Sequence, residues 1–399
     1  MQTICLDLPK NLPIDVCTEI SKRVCYCDAS IVGSNYSLAN HRIDIGYNNE
    51  NNRQKITENA LRLIDKMSLE RNAPAKILHS RIRNSNDFRP QIIDGLMRDG
   101  DIYPEGAGVV SRGGKFLTLI VRLDRLFEKL AVSQFSASIN NYNTLIPSDW
   151  LRRAGYFTSF AHSVTFAMHL REDYDNLENF SVRHKNGKTL HFSSMEELSV
   201  PEYCLSPAVC YHTYGTLEGQ QLNDGDSGVK AYTAMGRCFR YESKNITALD
   251  RLWEFSMREI VFVGEKEQVI AMRKKSIALF WQFVEILDLT AKIETASDPF
   301  FSTEFKSLRF FQLLNDLKYE LLVPVKEDRH IAAASFNYHE HFFGQKFNIK
   351  TAGGEPAHTA CAAFGLERFA YALLAQVGYD QSMERIDIAE KEMDYYGTI

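Results

Sequence analysis

The sequence predicts an α+β protein with a small N-terminal α+β domain, residues 1–90, and a larger domain, residues 91–399, that contains a β-hairpin with helical segments on both sides. Three observations lead to this prediction. The chain has 399 residues, more than one hydrophobic core comfortably holds. Residues 236–264 contain two apolar runs, CFRY and REIVFV, which are typical of a hairpin. Amphipathic segments with helical spacing lie on both sides of that hairpin.

The N-terminal residues 1–90 alternate between strand-like and helix-like patterns. The runs ICLDL, IDVCTEISKRV, ASIVGS, HRIDIGY and ITENALRLIDKM predict a βαββα unit. Residues 53–89 hold nine Lys or Arg against four Asp or Glu, which indicates either a solvated helix face or a docking surface for an anionic partner. Cys25 and Cys27 have no second pair at zinc spacing, so we interpret them as small apolar residues.

Composition limits the class of protein. Hydrophobic residues make up 45% of the chain and aromatic residues 12%, which is ample for burial, and no apolar run is long enough for a membrane span. The N-terminus lacks a signal-peptide core and eight cysteines occur in a long chain, so we expect a cytoplasmic protein with free or metal-binding thiols. The net charge of −5 disfavours a large nucleic-acid footprint.

Residues 100–170 precede the hairpin. The sequence GAGVVSRGGKF lacks Walker spacing and predicts a turn before the amphipathic helix LTLIVRLDRLFEKLA. In the following segment, residues 143–170, His162 and His169 are interpreted as packed or hydrogen-bonded side chains.

The hairpin itself carries charge. Arg240 and Glu242 are two residues apart, so on a strand they would share a face and offer a guanidinium and a carboxylate to one ligand. The polar segment TALDRLWEF between the two strands has helical spacing. A nucleotide suits this chemistry, because arginine binds phosphate and an aromatic ring stacks on a base.

Three motifs occur in the order of one family. The sequence FRYE at 239–242, followed by Arg251 and Phe255, resembles motif 2 of the class II aminoacyl-tRNA synthetases. The sequence GLER at 365–368 resembles motif 3, and Pro147 resembles the motif 1 proline. The resemblance covers residues 100–399 and implies a class II synthetase-type antiparallel β-sheet catalytic domain flanked by helices. It also implies that the helix over residues 117–131 packs against its copy in a homodimer.

Within that superfamily, four phrases resemble methanogen-type seryl-tRNA synthetases and their truncated relatives, the amino acid:[carrier protein] ligases. They are SPAVCYH at 206–212, REIVF at 258–262, ASFNYH at 334–339 and HTAC at 358–361. The resemblance implies a Zn²⁺ site formed by Cys210, Glu259 and Cys361, with the fourth position left for the amino group of the substrate. Such a three-ligand site is of the catalytic type. Cys204 is a competing ligand, whereas Cys238 is interpreted as packing.

The motif residues imply roles in amino-acid activation. Arg240 is assigned to the α-phosphate of ATP and Arg368 to the γ-phosphate. Phe255 would stack on adenine, Glu242 would accept a hydrogen bond from its amino group, and Arg251 completes the ATP-binding motif. Asn337 is assigned to the amino acid or a ribose oxygen.

Two further metal questions stay open. His339 and His341 would share a face of a strand, and we favour a structural or substrate-pocket role over a second metal site. Mg²⁺ must accompany ATP. Simple counting puts Ile331 where a seryl-tRNA synthetase has its magnesium acid, which leaves Glu320 and Glu327 as alternatives.

The molecule that accepts the activated amino acid distinguishes the possible functions. We predict that the enzyme activates a small amino acid, such as glycine, alanine or serine, and transfers it to the phosphopantetheine thiol of a carrier protein. The basic N-terminal unit and the helix that starts at Arg273 are the candidate docking elements, the latter alternatively a core helix. The alternatives are a seryl-type ligase that charges tRNA and a non-catalytic synthetase paralogue.

Overall fold

The N-terminal unit has the predicted order of elements. The computed structural model describes residues 1–68, 75–83, 88–89, 91–185, 187, 190, 192–223, 228–246, 249–296, 316–327 and 329–396. The first elements are β1 (Gln2–Asp7), α1 (Ile14–Val24), β2 (Ile31–Ser37), β3 (Arg42–Tyr47) and α2 (Arg53–Ser68). The three strands form an antiparallel sheet with the order β1-β3-β2, and the apolar sides of α1 and α2 share one core with it.

The remaining chain alternates strands with helices. Its strands are β4 (Ile77–Arg81), β5 (Ile102–Gly106), β6 (Val109–Arg112), β7 (Ser138–Ile139), β8 (Leu145–Pro147), β9 (Phe166–Ala167), β10 (Tyr203–Leu205), β11 (Val229–Phe239), β12 (Glu254–Gly264), β13 (Ala291–Thr295), β14 (Lys318–Lys326), β15 (Arg329–Tyr338) and β16 (His358–Gly365). Its helices are α3 (Ile92–Arg98), α4 (Gly114–Phe135), α5 (Ser148–Arg153), α6 (Tyr156–Ser159), α7 (Tyr174–His184), α8 (Cys210–Thr216), α9 (Lys266–Ile286), α10 (Phe342–Lys346), α11 (Leu366–Gln376) and α12 (Tyr379–Tyr396).

An eight-stranded sheet forms the framework of this larger region. Its order is β4-β13-β14-β15-β16-β12-β11-β7, and each pair is antiparallel except β11 with β7. One face packs on α4, α9 and α11 around a large core that includes Phe127, Phe280 and Phe364. The opposite face carries a second core beside α8 and α10. This is the α+β architecture with an antiparallel sheet that the sequence predicted.

A buried ion pair fixes α4 to the sheet. Arg258 on β12 donates to Asp124 at 2.5 Å and to Glu128 at 2.8 Å, both on α4. Because successive strand residues face opposite sides, Arg258 points to α4 while Glu259 points to the other face. The predicted turn before this helix lies at residues 107–108, between β5 and β6, and α4 begins at Gly114 directly after that hairpin.

The motif 2 segment departs from expectation. β11 ends at Phe239, so Arg240 and Glu242 lie beyond the strand and not on one of its faces. The expected helical segment is wrong over its described part: residues 249–250 form a turn and β12 begins at Glu254. Residues 247 and 248 lie outside the described residues.

The structure bears on the predicted domain boundary and on the basic segment, residues 53–89. β4 pairs with β13, so residues 77–81 belong to the large sheet although the predicted boundary lies at residue 90. The division into domains stays a prediction, and this pairing favours a boundary before β4. Basic residues of the 53–89 segment bind acids of this chain, at 3.2 Å for Lys55 with Asp28 and 2.5 Å for Arg81 with Asp288. These ion pairs within the chain favour a structural role for the basic residues over the docking of an anionic partner.

Within the described ranges, no helix combines the length and the hydropathy that crossing a membrane requires.

Candidate active site

The candidate site lies on the sheet face opposite α4. Side chains alternate along strands, so residues two apart share this face. The residues that do so are Phe255, Met257 and Glu259 on β12, Cys361, Ala363 and Gly365 on β16, and Ser335 and Asn337 on β15. In the register, Glu259 is opposite Ala363, and Asn337 is opposite Cys361. The strands therefore carry the motif residues and the candidate metal ligands in successive rows.

An open pocket of about 660 Å³ lies at one end of these rows. The predicted ATP-binding residues Arg240, Glu242, Phe255 and Arg368 line it, together with Lys318, Glu320, Glu367 and alanines of β15. The structure thus brings the motif 2 and motif 3 residues to one pocket from positions more than 100 apart in the chain.

Both arginines are held by backbone carbonyls. Nε of Arg240 donates to the oxygen of Pro207 at 2.9 Å, and its guanidinium lies 5.5 Å from the centre of the Phe255 ring. Arg368 donates to the oxygens of Asp250 at 2.7 Å and Ala332 at 3.0 Å. These bonds fix each guanidinium while leaving other N–H groups for an anion.

Glu242 and Arg251 form an ion pair at the rim of the pocket. Both side chains are partly exposed, at 24% and 32%. A carboxylate next to a half-buried ring offers an acceptor beside a stacking surface, which suits a purine with an exocyclic amine.

Three potential metal ligands meet two residues further along the same strands. One donor atom each from Cys210, Glu259 and Cys361 lies within 4.8 Å of the others, and all three residues are buried. Cys210 is the first residue of α8, Glu259 lies on β12 and Cys361 on β16. Each strand ligand lies two residues, about 7 Å, from a pocket residue on its own strand: Glu259 from Met257, and Cys361 from Ala363.

Burial and the closeness of three acidic groups shift the pKa values within the cluster. A hydrogen bond from the Cys210 thiol lowers the pKa of Cys361 well below its ordinary value and raises that of Cys210. Burial, with the nearby Cys361 charge, raises the pKa of Glu259 to about 8. Oε2 of Glu259 has no hydrogen-bond partner in the described part of the chain. Two thiols and a carboxylate with an unsatisfied oxygen are a donor set that fits Zn²⁺, which would displace the bound protons.

Polar neighbours surround the cluster. Nδ2 of Asn337 lies 3.4 Å from Sγ of Cys361 and donates to it. Nε2 of His339 lies 3.9 Å from the same sulfur, and its Nδ1 lies 3.2 Å from Oγ1 of Thr359. His339 therefore lies beside the candidate metal site, whereas His341 is exposed. No metal cluster joins these two histidines within the described ranges.

The competing cysteines lie elsewhere. Cys204 is fully buried in a separate small core and lies 3.5 Å from the Ser148 hydroxyl. Cys238 is fully buried in the second core. His169 bonds the oxygen of Leu170 at 2.8 Å, in keeping with a hydrogen-bonded role.

The two magnesium alternatives differ in position. Glu320 lines the pocket and pairs with Lys318 at 3.0 Å, whereas Glu327 is exposed in the turn after β14. Ile331 is buried in the large core and has no ligand atom.

Two charged groups near the pocket were not predicted from the sequence. Lys318 lies two residues before Glu320 on β14, and the period of two could have identified it as a pocket residue. Arg112 pairs with the buried Glu367 at 3.1 Å, and Glu367 also accepts from the backbone N–H of Ser256 at 2.8 Å. Glu367 therefore ties motif 3 to β12, and no local spacing points to its partner.

Comparison with known proteins identifies the family. Residues 194–377 match the family described as tRNA synthetase class II core domain (G, H, P, S and T). Amino acid–[acyl-carrier-protein] ligase 2 of Bradyrhizobium diazoefficiens is 34% identical over 241 residues, 60% of this chain and 70% of that protein. Ligase 1 of the same organism is 32% identical over 304 residues, 75% of this chain and 90% of that protein. The chain belongs to the amino acid–[acyl-carrier-protein] ligase family.

Relatives of lower identity include serine–tRNA ligases. The type-2 serine–tRNA ligase of Methanopyrus kandleri is 28% identical over 263 residues, 61% of this chain but 50% of that protein. The crystal structure of M. kandleri seryl-tRNA synthetase in complex with A. aeolicus tRNASec superposes with a TM-score of 0.68 at 20% identity, over 97% of this chain and 77% of that chain. The structural likeness confirms the class II synthetase fold.

Proposed function

We propose that this ligase activates a small amino acid with ATP and transfers it to the phosphopantetheine thiol of a carrier protein. One observation carries the proposal: a cation-lined pocket and a three-ligand cluster follow each other along the same strands, in a chain that covers 90% of a carrier-protein ligase. The spacing suits a substrate whose amine and carboxylate are one carbon apart, with ATP beyond the carboxylate.

In the first step, a carboxylate oxygen of the amino acid attacks the α-phosphorus of ATP and the bond to the β-phosphate oxygen breaks. The products are an aminoacyl adenylate and pyrophosphate. We assign Arg240 to the α-phosphate oxygens and Arg368 to the γ-phosphate, because fixed cations stabilise the charge that develops there. Phe255 and Glu242 would bind adenine, with Arg251 orienting Glu242. Glu320 is our choice as the Mg²⁺ ligand, since it lines the pocket.

The amino end would be held at Cys210, Glu259 and Cys361. Bound there, Zn²⁺ would act as a Lewis acid whose open position accepts an uncharged amine. Asn337 hydrogen-bonds the Cys361 sulfur, so we assign it to orienting that ligand as well as to the substrate.

In the second step, a thiolate attacks the carbonyl carbon of the adenylate and AMP leaves. A phosphopantetheine thiol is favoured over a tRNA hydroxyl, because the chain carries a net charge of −5 and its relatives at 34% and 32% identity are named carrier-protein ligases. We retain tRNA charging as the second candidate. The paralogue reading loses support, since both motif arginines line the pocket.

The remaining assignments are proposals of the same kind. The exposed apolar residues Leu117, Val121 and Val132 on α4 are the face through which we expect a homodimer to form. We also propose residues 1–90 and 91–399 as the two domains, with the boundary adjusted toward β4, and a cytoplasmic location.

A transfer assay tests the function. Zinc-loaded protein is incubated with ATP, a pool of amino acids, and either holo carrier protein, apo carrier protein or bulk tRNA. We expect pyrophosphate exchange that depends on one or a few small amino acids, and an aminoacyl mass on the holo carrier that hydroxylamine removes. Charging of tRNA alone would identify the second candidate, and absence of exchange with every amino acid would refute both.

A further inference from the structure

The end of α1 lies against the loop that carries Glu242. Nδ2 of Asn245 donates to the backbone oxygen of Lys22 at 3.0 Å. The backbone N–H of Asn245 donates to the oxygen of Glu242 at 3.0 Å. One asparagine thus joins the last turn of α1 to the backbone of a residue that lines the pocket.

A second contact fixes the other side of Glu242. The ring of Tyr26, which follows α1, lies edge-on to His162, with ring centres 5.2 Å apart. His162 belongs to a short turn, and the oxygen of Ser163 in that turn accepts from the backbone N–H of Tyr241 at 3.2 Å. The backbone on both sides of Glu242 is therefore tied to groups that contact the N-terminal unit.

Charges alternate across this contact. Glu19 pairs with Arg23 at 2.9 Å and with Lys22 at 3.8 Å on α1. Burial opposes the ionisation of Glu19, but nearby cations, Arg251 among them, lower its pKa. Arg251 in turn pairs with Glu242. Arg251 therefore pairs with a carboxylate of the pocket and also attracts Glu19 of the N-terminal unit electrostatically.

We propose that residues 1–68 are a positioning element for the nucleotide: they hold Glu242 and Arg251 of their own chain in the conformation that binds ATP. Asn245 and Glu19 are positioning residues, because they act through Glu242 and Arg251. The inference rests on the proposed function, since it takes the pocket as an ATP site. A loop that is already fixed loses less conformational freedom when the nucleotide binds, so its contacts raise affinity for ATP more than they raise the rate of chemistry.

The test compares matched substitutions in the full-length protein. Asn245→Ala removes the bond to Lys22, and Asn40→Ala removes an exposed asparagine of the N-terminal unit. Glu19→Gln removes the charge that faces Arg251, and Glu58→Gln neutralises an exposed acid on α2. For Asn245→Ala and Glu19→Gln we expect the Kd for ATP, measured by calorimetry, and the KM for ATP to rise about five-fold, with kcat and the KM for the amino acid within about two-fold of wild type. The two control variants should match the wild type.

Amide hydrogen exchange distinguishes positioning of the nucleotide site from a purely structural role, because only positioning makes the exchange rate of α1 depend on ATP. Since coupling between two sites is reciprocal, ATP should slow amide exchange in α1 of the wild type and not in Asn245→Ala. Unchanged ATP affinity in both test variants, or α1 exchange that ignores ATP, would overturn the inference. An equal loss of apparent affinity for ATP and for the amino acid would also overturn the inference, because that result indicates general damage to the fold.

The outcomes separate this inference from the proposed function. A wild type that binds ATP but exchanges no pyrophosphate refutes the function, while ATP affinity and hydrogen exchange still decide the role of residues 1–68. A wild type that exchanges pyrophosphate, with test variants that bind ATP normally, refutes the inference alone. A wild type that binds no ATP refutes both.

Discussion

The two ends of the candidate site are built on opposite principles. At the nucleotide end, backbone carbonyls of Pro207 and Ala332 already hold Arg240 and Arg368. At the metal end, buried acidic groups face one another, and Oε2 of Glu259 has no partner in the described ranges. The protein holds its arginines with its own carbonyls, whereas on the proposed function the cluster of Cys210, Glu259 and Cys361 is completed by a bound Zn²⁺. Loss of one residue should therefore have different consequences at each end.

The largest effect is expected at the metal end. Cys361→Ser should lower the zinc content of the purified protein well below one ion per chain, since two ligands hold zinc poorly. Amino-acid-dependent pyrophosphate exchange should fall about 10³-fold, because several kcal/mol of substrate and transition-state stabilisation are lost. Zinc is measured by mass spectrometry after dialysis, and exchange on the same sample.

Cys204→Ser is the matched control for this prediction. Cys204 is also a buried cysteine but lies outside the cluster, so the variant should keep a full equivalent of zinc. Equal zinc loss in both variants would show that the choice of Cys210 over Cys204, and the cluster itself, is wrong.

The next effect concerns the nucleotide end. Arg240→Ala and Arg368→Ala should each slow exchange about 10²–10³-fold, because each removes a fixed cation from the transferring phosphate. Zinc content should stay at the wild-type level, which distinguishes this end from the other. Arg98→Ala on α3, whose side chain is 77% exposed, is the control and should be neutral. Near-normal exchange in Arg240→Ala would contradict the assignment.

A smaller effect is expected at Asn337, which donates a hydrogen bond to the proposed zinc ligand Cys361. Asn337→Ala removes the donor to Cys361 and should weaken zinc binding about ten-fold, as loss of an outer hydrogen bond commonly does. Competition with a chromophoric chelator measures the affinity. Asn141→Ala, an exposed asparagine, serves as the reference. An unchanged zinc affinity together with a raised KM for the amino acid would assign Asn337 to the substrate alone.

The smallest effect tests the stacking surface. Phe255→Leu keeps apolar volume but loses the ring, so the KM for ATP should rise about three- to ten-fold, with zinc binding unaffected. Phe166→Leu, at a half-exposed ring outside the pocket, provides the comparison. If the two variants gave the same KM for ATP, Phe255 would not be the base platform.

The sequence predicted the parts of this site that depend on local pattern. Strand alternation and motif order located β12, α11 and their charged residues, because each is encoded within about a dozen positions. The resemblance supplied Cys210, Glu259 and Cys361, whose separations of 49 and 102 positions carry no local signal. The helical spacing near Arg251 misled, because the described part of that segment lies as a turn against the pocket.

Long-range partners were beyond sequence reasoning. Nothing in the patterns around Asn245 and Lys22 predicts their contact over 223 positions. The pairing of β4 with β13 likewise depends on the assembled sheet, since an exposed five-residue strand has little preference of its own.

The two-residue offset between the pocket and the cluster has a geometric consequence. Hydrogen-bonded strands hardly stretch, so on the proposed function the spacing of residues along β12 and β16 sets a fixed distance between the substrate amine and the α-phosphorus that its carboxylate attacks. A substrate with an extra methylene between its amine and carboxylate would be too long for that distance, whatever its side chain. We therefore expect β-amino acids to be poor substrates even where the α-amino acid with the same side chain is activated.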